Sequence, residues 1–395
     1  MRCNNLFRFS IYAAYPVVPE AKVKSLISQQ HKPEIFMPDK FNLYDVYEQN
    51  LNFLFGAGAS YGFLPTLALN IKDREGTHYT FETLAKELDK GSTRDLYTLL
   101  FMYYFKKCIN TGLPRLPMAP HPPYRAKVLK EYKIFLKTLL SVLEKQNRND
   151  KKCNIYTTNY DNCFELSADS LMTEQALNCA INDGSSGFQQ RKFHTKNFNN
   201  RVLQKGIFDK HAEYIPQINI LHPHGSVYWH KIDKNIAVNY GHSPYDIIFD
   251  SEQEKLLKAF EELLDDKNRN INDLIEFEKD ELGLWDWSTL QADTFWEKYK
   301  EIPIVNPTKW KFHETVFEEA YYQILRHLSF ELERPNSVLI TFGFSFADEH
   351  ILHLVQRSLS NPSLTVYVSC FNEGEKREMQ NKFKGVMVNK NRTKS

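Results

Sequence analysis

Short apolar runs typical of buried strands recur along the chain, and segments with a helical period lie between them. The predicted strands lie at residues 52–55, 154–156, 218–221, 338–342, 365–368 and 386–388. Between the first two, residues 131–145 (EYKIFLKTLLSVLEK) place apolar side chains at helical spacing before the polar loop QNRNDKK. Strands that alternate with helices predict an α/β fold, in which helices cover both faces of a mainly parallel sheet.

Two stretches interrupt this alternation and are predicted to be insertions. Residues 165–215 are polar, and the segments NDGSSG and NFNNR within them are typical of loops. Residues 235–300 include SEQEKLLKAFEELLDD, whose leucines and phenylalanine form one apolar helical stripe. We therefore expect one domain at residues 46–395 with helical insertions at about 165–215 and 235–300, preceded by an N-terminal extension at residues 1–45.

The composition narrows the class of protein. Lys and Arg number 50 and Asp and Glu 49, so the formal net charge of +1 gives no overall attraction to nucleic acid or to an anionic membrane. The six cysteines form no C-x-x-C pair, which argues against a zinc ribbon and a disulfide framework. No apolar run approaches the roughly 18 residues that a membrane span needs. These features predict a cytoplasmic protein with reduced thiols, no membrane association and no direct nucleic-acid contact.

The first predicted strand runs into Gly-Ala-Gly-Ala-Ser at residues 56–60, a turn with very little side chain. Gly56 and Gly58 can adopt a positive φ and let backbone N–H groups approach a ligand, while Ser60 can cap the next helix. Such a turn suits a pyrophosphate at a helix N-terminus. The motif is not a complete G-x-G-x-x-G, and a tight turn without a ligand would use the same residues.

The second predicted strand runs into the segment IYTTNYDNCFE at residues 155–165. Four polar side chains follow one another closely where this strand ends. They are Thr157, Thr158, Asn159 and Asp161. Ligands of α/β proteins bind at the carboxyl edge of the sheet, whereas capping a helix would need only one of these residues. The four together favour a ligand site.

The third strand ends in HPHGS, where His222 and His224 flank Pro223 and are followed by Gly225 and Ser226. An H-x-H pair can bind metal, but no third ligand stands at a helpful spacing, so no metal is expected. A general base is the favoured interpretation, because the unperturbed histidine pKa of about 6.5 suits proton abstraction at neutral pH.

The fourth strand gives way to GFSFADEH at residues 343–350. Gly343 and Ser345 could accept a ribose or a phosphate, and Asp348 could cap the helix that follows. Polar residues at the ends of several strands of one sheet favour a shared ligand site.

Taken together, GAGAS, TTNYD, HPHGS and GFSFADEH, in this order and spacing, resemble the NAD-binding signature of the sirtuin superfamily. Within that superfamily, these motifs resemble those of bacterial sirtuin-like proteins of anti-phage defence, particularly the proteins paired with a HerA-type DNA-translocating ATPase. The resemblance implies a Rossmann-like domain with helical insertions and NAD as substrate. It also implies a homo-oligomer that docks on such an ATPase.

The resemblance also implies roles for individual residues. Those implied to line the diphosphate are Gly56, Ala57, Gly58 and Ser60. Asn159 and Asp161 are implied to face the nicotinamide ribose, and Gly343 and Ser345 to touch the adenosine side. The expected cofactor-binding set is completed by Thr157, Thr158, Gly225 and Ser226. Asn159 and His224 form the expected catalytic pair.

The chain departs from protein-deacylating sirtuins in ways that bear on its substrate. Their four-cysteine zinc module is absent from the sequence, and their TQN-type motif is TTN here, with Thr158 in place of glutamine. Residues 61–80 lack a clear match to the aromatic-Arg segment of their cofactor loop.

The favoured hypothesis is hydrolysis of the nicotinamide N-glycosidic bond of NAD⁺ to give nicotinamide and ADP-ribose. Because uncontrolled hydrolysis would be toxic to its own cell, we expect activity to be gated by assembly with a partner, as in an abortive-infection effector. Two alternatives stay open: an NAD-dependent protein deacylase that uses the same Asn and His, and a non-catalytic subunit that senses NAD or ADP-ribose.

Overall fold

A computed structural model of the chain describes residues 5–10, 46–89, 94–110, 123–148, 150–174, 178–205, 212–241, 245, 247–280, 290–306 and 315–384. Its strands are β1 (Asn5–Ser10), β2 (Asn50–Phe55), β3 (Ala68–Lys72), β4 (His78–Thr80), β5 (Lys152–Thr157), β6 (Ala180–Asn182), β7 (Ser185–Ser186), β8 (Arg191–Phe193), β9 (Leu203–Lys205), β10 (Ala212–Tyr214), β11 (Gln217–Leu221), β12 (Trp229–Ile232), β13 (Asn235–Val238), β14 (Ser337–Phe342) and β15 (Thr365–Cys370). Its helices are α1 (Phe81–Asp89), α2 (Arg94–Tyr104), α3 (Pro123–Lys145), α4 (Cys163–Thr173), α5 (Ser251–Asp265), α6 (Ile271–Asp280), α7 (Ala292–Tyr299), α8 (Thr315–Glu333), α9 (Glu349–Ser358) and α10 (Glu373–Phe383). None of the helices within these ranges is both long enough and apolar enough to span a bilayer.

The described residues build a main sheet of seven strands in the order β1-β15-β14-β2-β5-β11-β6. Neighbouring strands from β15 to β6 pair in parallel, and β1 pairs antiparallel with β15 at the edge. Five predicted strands fall within β2, β5, β11, β14 and β15, whereas the sixth, at residues 386–388, lies outside the described residues. The predicted α/β fold, a Rossmann-like parallel sheet flanked by helices, is confirmed.

Two apolar clusters cover the two faces of the sheet, because successive side chains of a strand point to opposite faces. On β2, Phe53 and Phe55 belong to the cluster that includes α3 and α4. Leu54 belongs to the other cluster, which includes α2, α5 and α8. The ring of Phe55 lies 4.8 Å from that of Phe164 in an edge-to-face arrangement. The main sheet is thereby buried on both faces, as a parallel sheet requires.

The order of the strands reverses beside β2. From β2 the chain visits β5, β6 and β11 on one side, and it then returns to β14 and β15 on the other side. In open α/β sheets, ligands bind beyond the carboxyl ends of the strands at such a reversal. The loops that follow β2 and β14 therefore flank the place where a ligand is expected.

Part of the first predicted insertion belongs to the main sheet and its covering helices. Helix α4 packs against α3, and β6 pairs with β11. Strand β6 went unpredicted, because it has only three residues and all of them are half-buried. The remainder of the segment contributes short antiparallel pairs, including β9 with β10 and β7 with β8.

The second predicted insertion contains the expected helices α5, α6 and α7. They share a core with α1 and α2, which the sequence analysis did not connect to them. Trp296 on α7 stacks on Tyr97 of α2 and donates its Nε1–H to Thr98 Oγ1 at 3.1 Å. We refer to α1, α2, α5, α6 and α7 as the helical layer.

A row of buried amide side chains crosses three adjacent strands of the main sheet. Asn52, Asn154 and Asn219 are register partners on β2, β5 and β11, and each is at most 1% exposed. Asn154 Nδ2 donates to Asn52 Oδ1, and Asn219 Nδ2 donates to Asn154 Oδ1, each at 2.8 Å. Gln217 Nε2 donates to Asn219 Oδ1 at 2.7 Å. A shift of register would leave these buried amides unpaired, so this amide row fixes the alignment of the strands.

Candidate functional site

The loop after β2 packs backbone to backbone against the loop after β14. Gly56 N–H donates to Phe342 O, and Gly58 N–H donates to Gly343 O, both at 3.0 Å. A Cβ on residue 56 would lie 2.5 Å from Gly343 O, and one on residue 58 would lie 2.9 Å from Gly343 Cα. The glycines of GAGAS are thus required by the contact between these two loops.

The expectation that Gly56 and Gly58 adopt a positive φ is wrong. Gly56 has φ −121°, and Gly58 is not among the residues with positive φ, whereas Gly343 has φ +58°. The N–H groups of Gly56 and Gly58 are engaged by the β14 side and do not point at a ligand. Ala57 begins the short 3₁₀ turn at Ala57–Ser60 and is half-buried. Contact of this turn with a diphosphate stays a prediction.

Ser60 is the centre of a buried polar network and does not cap a helix, contrary to the expectation from sequence. The residue is 1% exposed, and its hydroxyl donates to Asp161 Oδ2 at 2.7 Å. It lies 2.8 Å from the Tyr132 hydroxyl, which we assign as a donor because the Ser60 proton is already used. Burial and the Asp161 charge raise the pKa of Tyr132 well above its ordinary value, which keeps this hydroxyl protonated.

Asn159 is held by this network and by the backbone. Its Nδ2 donates to Gly56 O at 3.1 Å and to Ser60 Oγ at 3.0 Å, so both amide hydrogens are used. Its backbone N–H donates to Thr157 Oγ1 at 3.2 Å. The residue is 7% exposed. The carboxamide is thus fixed through its nitrogen, and its oxygen is the atom that can accept a hydrogen bond from a ligand.

His224 lies at the same sheet edge and pairs with a carboxylate from the far side of β2. His224 Nε2 lies 2.9 Å from Asp348 Oδ2. Asp348 Oδ1 accepts from the backbone N–H of Ile351, so the prediction that Asp348 caps α9 is confirmed. Burial raises the pKa of Asp348, but the hydrogen bond and charge of His224, the hydrogen bond from Ile351 N–H and the charge of His350 together lower it to about 2. A carboxylate accepts at Nε2, which leaves Nδ1 of neutral His224 as the basic nitrogen.

The peptide of His224 is fixed by the segment that follows α7. Val305 N–H donates to His224 O at 2.8 Å, and Gly225 forms an isolated bridge with Ile304. Gly225 has φ +80°, and a Cβ there would lie 2.0 Å from Pro303 O. The glycine after His224 is therefore required by this close approach.

The other predicted binding residues divide between interior and surface. Thr157 and Ser226 are 2% exposed, and the Ser226 hydroxyl accepts from Tyr228 N–H at 3.3 Å. Thr158 is half-buried, and its hydroxyl donates to Phe55 O at 3.2 Å. Gly343 and Ser345 are exposed on the β14 loop. Direct ligand contact is thus open to the surface residues, whereas the interior residues support the loops.

Two acidic residues near the site were missed by sequence reasoning. Burial of its carboxyl group, and secondarily the Asp348 charge, raise the pKa of Glu82, while His224 opposes them. Glu165 Oε1 lies 2.9 Å from His222 Nε2. Glu165 is the last residue of the segment IYTTNYDNCFE, but nothing in the sequence indicated that its partner is His222. Glu82 lies in the first turn of α1, a helix that carried no motif.

The two histidines of HPHGS have separate carboxylate partners, Glu165 and Asp348. Across the described ranges, no group of three or more His, Cys, Asp or Glu side chains is placed to hold a metal ion.

Comparison of the sequence with protein-family models and with curated proteins finds no match. The chemistry of the sheet edge is therefore the basis for assigning a function.

Proposed function

We propose that the protein is a sirtuin-like NAD⁺ glycohydrolase, which cleaves the bond between nicotinamide and ribose to give nicotinamide and ADP-ribose. The observation that carries the proposal is that one sheet edge presents both a fixed acceptor, Asn159 Oδ1, and a carboxylate-bound histidine, His224. The four motifs that resemble the sirtuin signature meet at this edge, where the strand order reverses.

The reaction needs no strong acid, because the pyridinium of NAD⁺ is already a charged leaving group. It depends mainly on positioning the ribose and the attacking water. The C1′–N bond breaks, and its electron pair neutralises the pyridinium as nicotinamide leaves. Water adds to the oxocarbenium-like C1′ and loses one proton, which yields ADP-ribose. His224 Nδ1 accepts that proton, because the Asp348 carboxylate keeps the Nε2–H bonded. Asn159 Oδ1 accepts a hydrogen bond from the water or from a ribose hydroxyl and so orients it.

The proposed catalytic roles are tested by removing each side chain. We expect Asn159→Ala and His224→Ala each to lower the rate of NAD⁺ loss by about 10²–10⁴-fold, because each removes a positioning or proton-accepting group. The measurement is chromatography of NAD⁺ and nicotinamide over time. Matched controls are Asn147→Ala and His353→Ala, which change the same residue types at exposed positions and should leave the rate within about twofold. Full activity in Asn159→Ala or His224→Ala removes that residue from the mechanism.

Two alternatives would use the same edge: a subunit that binds NAD⁺ or ADP-ribose without turning it over, and an NAD-dependent protein deacylase. Tight NAD⁺ binding without nicotinamide release would favour this sensor, and turnover that requires an acyl-lysine peptide would favour a deacylase.

The resemblance further supports a cytoplasmic anti-phage effector that assembles as a homo-oligomer with a HerA-type DNA-translocating ATPase. Gating by assembly would spare the cell's own NAD⁺. Light scattering of the purified chain, alone and mixed with such an ATPase, measures this part of the proposal. A strict monomer that ignores the ATPase would contradict it.

A further inference from the structure

His222 is a buried titratable residue that the proposed mechanism does not use. It is 4% exposed and lies two residues before His224. Its Nδ1 lies 3.3 Å from the backbone oxygen of Asn159, and its Nε2 lies 2.9 Å from Glu165 Oε1. Since both partners are acceptors when Glu165 is ionised, we assign a proton to each ring nitrogen of His222.

The surroundings of His222 fit this assignment. Burial alone would lower the pKa of His222, but the charge and hydrogen bond of Glu165, the bond to Asn159 and the charge of Asp161 together raise it. Glu165 faces His222 from α4, Asp161 from the β5 loop, and the Trp229 ring from β12 at 6.3 Å. Tyr228 also lies in this group, and burial, Glu165 and Asp161 raise its pKa, which keeps it neutral.

Glu165 itself is incompletely satisfied. Its Oε2 is buried without a hydrogen-bond partner among the described residues. A buried ion pair with an unsatisfied oxygen is a weak source of stability, because the loss of hydration offsets the attraction. Stability alone therefore gives little reason for this pair at the strand end.

We propose that His222, held by Glu165, is a positioning residue that fixes the Asn159 peptide and thereby orients the Asn159 carboxamide for the reaction. This inference rests on the proposed function. The HPHGS loop would then position both catalytic groups. His222 holds Asn159, which lies in the loop after β5, and His224 follows His222 by two residues in HPHGS.

The bond to Asn159 has a specific role in this arrangement. The Asn159 side chain is held by Gly56 and Ser60 on the β2 side, and its backbone N–H is held by Thr157 of its own loop. The bond from His222 ties the same residue to the β11 side. Loss of this bond would let the Asn159 peptide rotate relative to the loop that carries His224.

Two substitutions at one position separate positioning from packing. The amide nitrogen of His222→Asn falls near the place of Nδ1 and can donate to Asn159 O, whereas that of His222→Gln falls near Nε2 and reaches Glu165 instead. For NAD⁺ hydrolysis we expect His222→Gln to lower kcat by about 10–100-fold with KM within about threefold, and His222→Asn to keep kcat within about fivefold of wild type.

Hydrogen exchange of peptides covering residues 157–163 gives a readout that is independent of turnover. We expect faster exchange in His222→Gln than in wild type and near wild-type exchange in His222→Asn, although His222→Asn leaves Glu165 without its partner and should have the lower melting temperature of the two variants. Equal exchange in the two variants, or kcat losses that simply follow a fall in melting temperature, would overturn the proposal. If the wild type does not hydrolyse NAD⁺, the proposed function fails, and the exchange comparison still decides whether His222 positions Asn159.

Discussion

A Cβ on residue 343 would lie 2.2 Å from Ala59 N and 2.4 Å from Gly58 C, at a backbone φ of +58°. Such a contact is far inside normal packing distance, and both atoms belong to the backbone, so neither can move away cheaply. The two loops that flank the expected ligand site can therefore approach only because residue 343 is glycine. The same contact explains why residues 56 and 58, which lie opposite Gly343, are also glycines.

Gly343→Ala should destabilise the protein by about 2–4 kcal/mol, because left-handed strain and a backbone clash add together. Gly76→Ala is the matched control, since Gly76 has φ +87° but no atom within 4 Å of the place that a Cβ would occupy. We expect this control to lose only about 1–2 kcal/mol, from strain alone. Urea unfolding of both variants measures the difference, and equal losses would contradict the proposed loop contact.

The His224–Asp348 pair predicts a specific response to acid. The pKa of Asp348 is about 2 in the folded protein against an ordinary value of 3.8, so its contribution to stability is present above pH 3.8 and is lost as the pH falls toward 2. Asp348→Asn keeps a helix cap but lacks this charge. We expect the stability gap between wild type and Asp348→Asn to shrink by about 1 kcal/mol between pH 6 and pH 3. Urea titrations at several pH values measure the gap, and a constant gap would argue against the ion pair.

Residue types at the site were predictable from sequence, but their partners were not. Asn159, His224 and Asp348 were singled out because polar residues follow strand ends. Ser60, in contrast, bonds to Tyr132 and Asp161, which lie 72 and 101 residues away along the chain. Such contacts depend on the packing of α3 and the β5 loop around β2, and local spacing carries no information about them.

The amide row of Asn52, Asn154 and Asn219 aligns three central strands. The sequence predicted these strands from their apolar residues, and the asparagines inside them interrupt that pattern. Their contribution to the fold becomes visible only when the strands pair in register, because each amide side chain then forms a hydrogen bond with the amide on the next strand. The edge strands β1 and β6 went unpredicted: β1 lies in the segment predicted to be an N-terminal extension, and β6 has only three residues.

Asn154→Ala should cost about 2–4 kcal/mol of stability, because it leaves Asn52 Oδ1 and Asn219 Nδ2 short of partners in a buried sheet. Asn147→Ala is the control: Asn147 also makes a side-chain hydrogen bond, to Glu48, but this bond is exposed to solvent. It should lose less than about 0.5 kcal/mol. Denaturant unfolding compares the two, and similar losses would show that the amide row contributes little.

The main sheet, the segment that follows the helical layer and the loops after the strands meet at one edge of the sheet. The strand reversal beside β2 brings the β14 loop against GAGAS, and the segment after α7 holds the peptide of His224. The alternation of strands and helices predicted the parallel sheet, but it could not show that α1 and α2 share a core with the second insertion. That association depends on aromatic contacts between segments far apart in the chain.

NAD⁺ hydrolysis at this edge is the activity that we propose. The most direct measurement is chromatography of the products after incubation of the purified wild-type chain with NAD⁺, alone and assembled with a HerA-type ATPase. We expect equimolar nicotinamide and ADP-ribose in at least one of these states, without any acyl-peptide. Intact NAD⁺ in both states, or nicotinamide release that requires an acyl-lysine substrate, would contradict it.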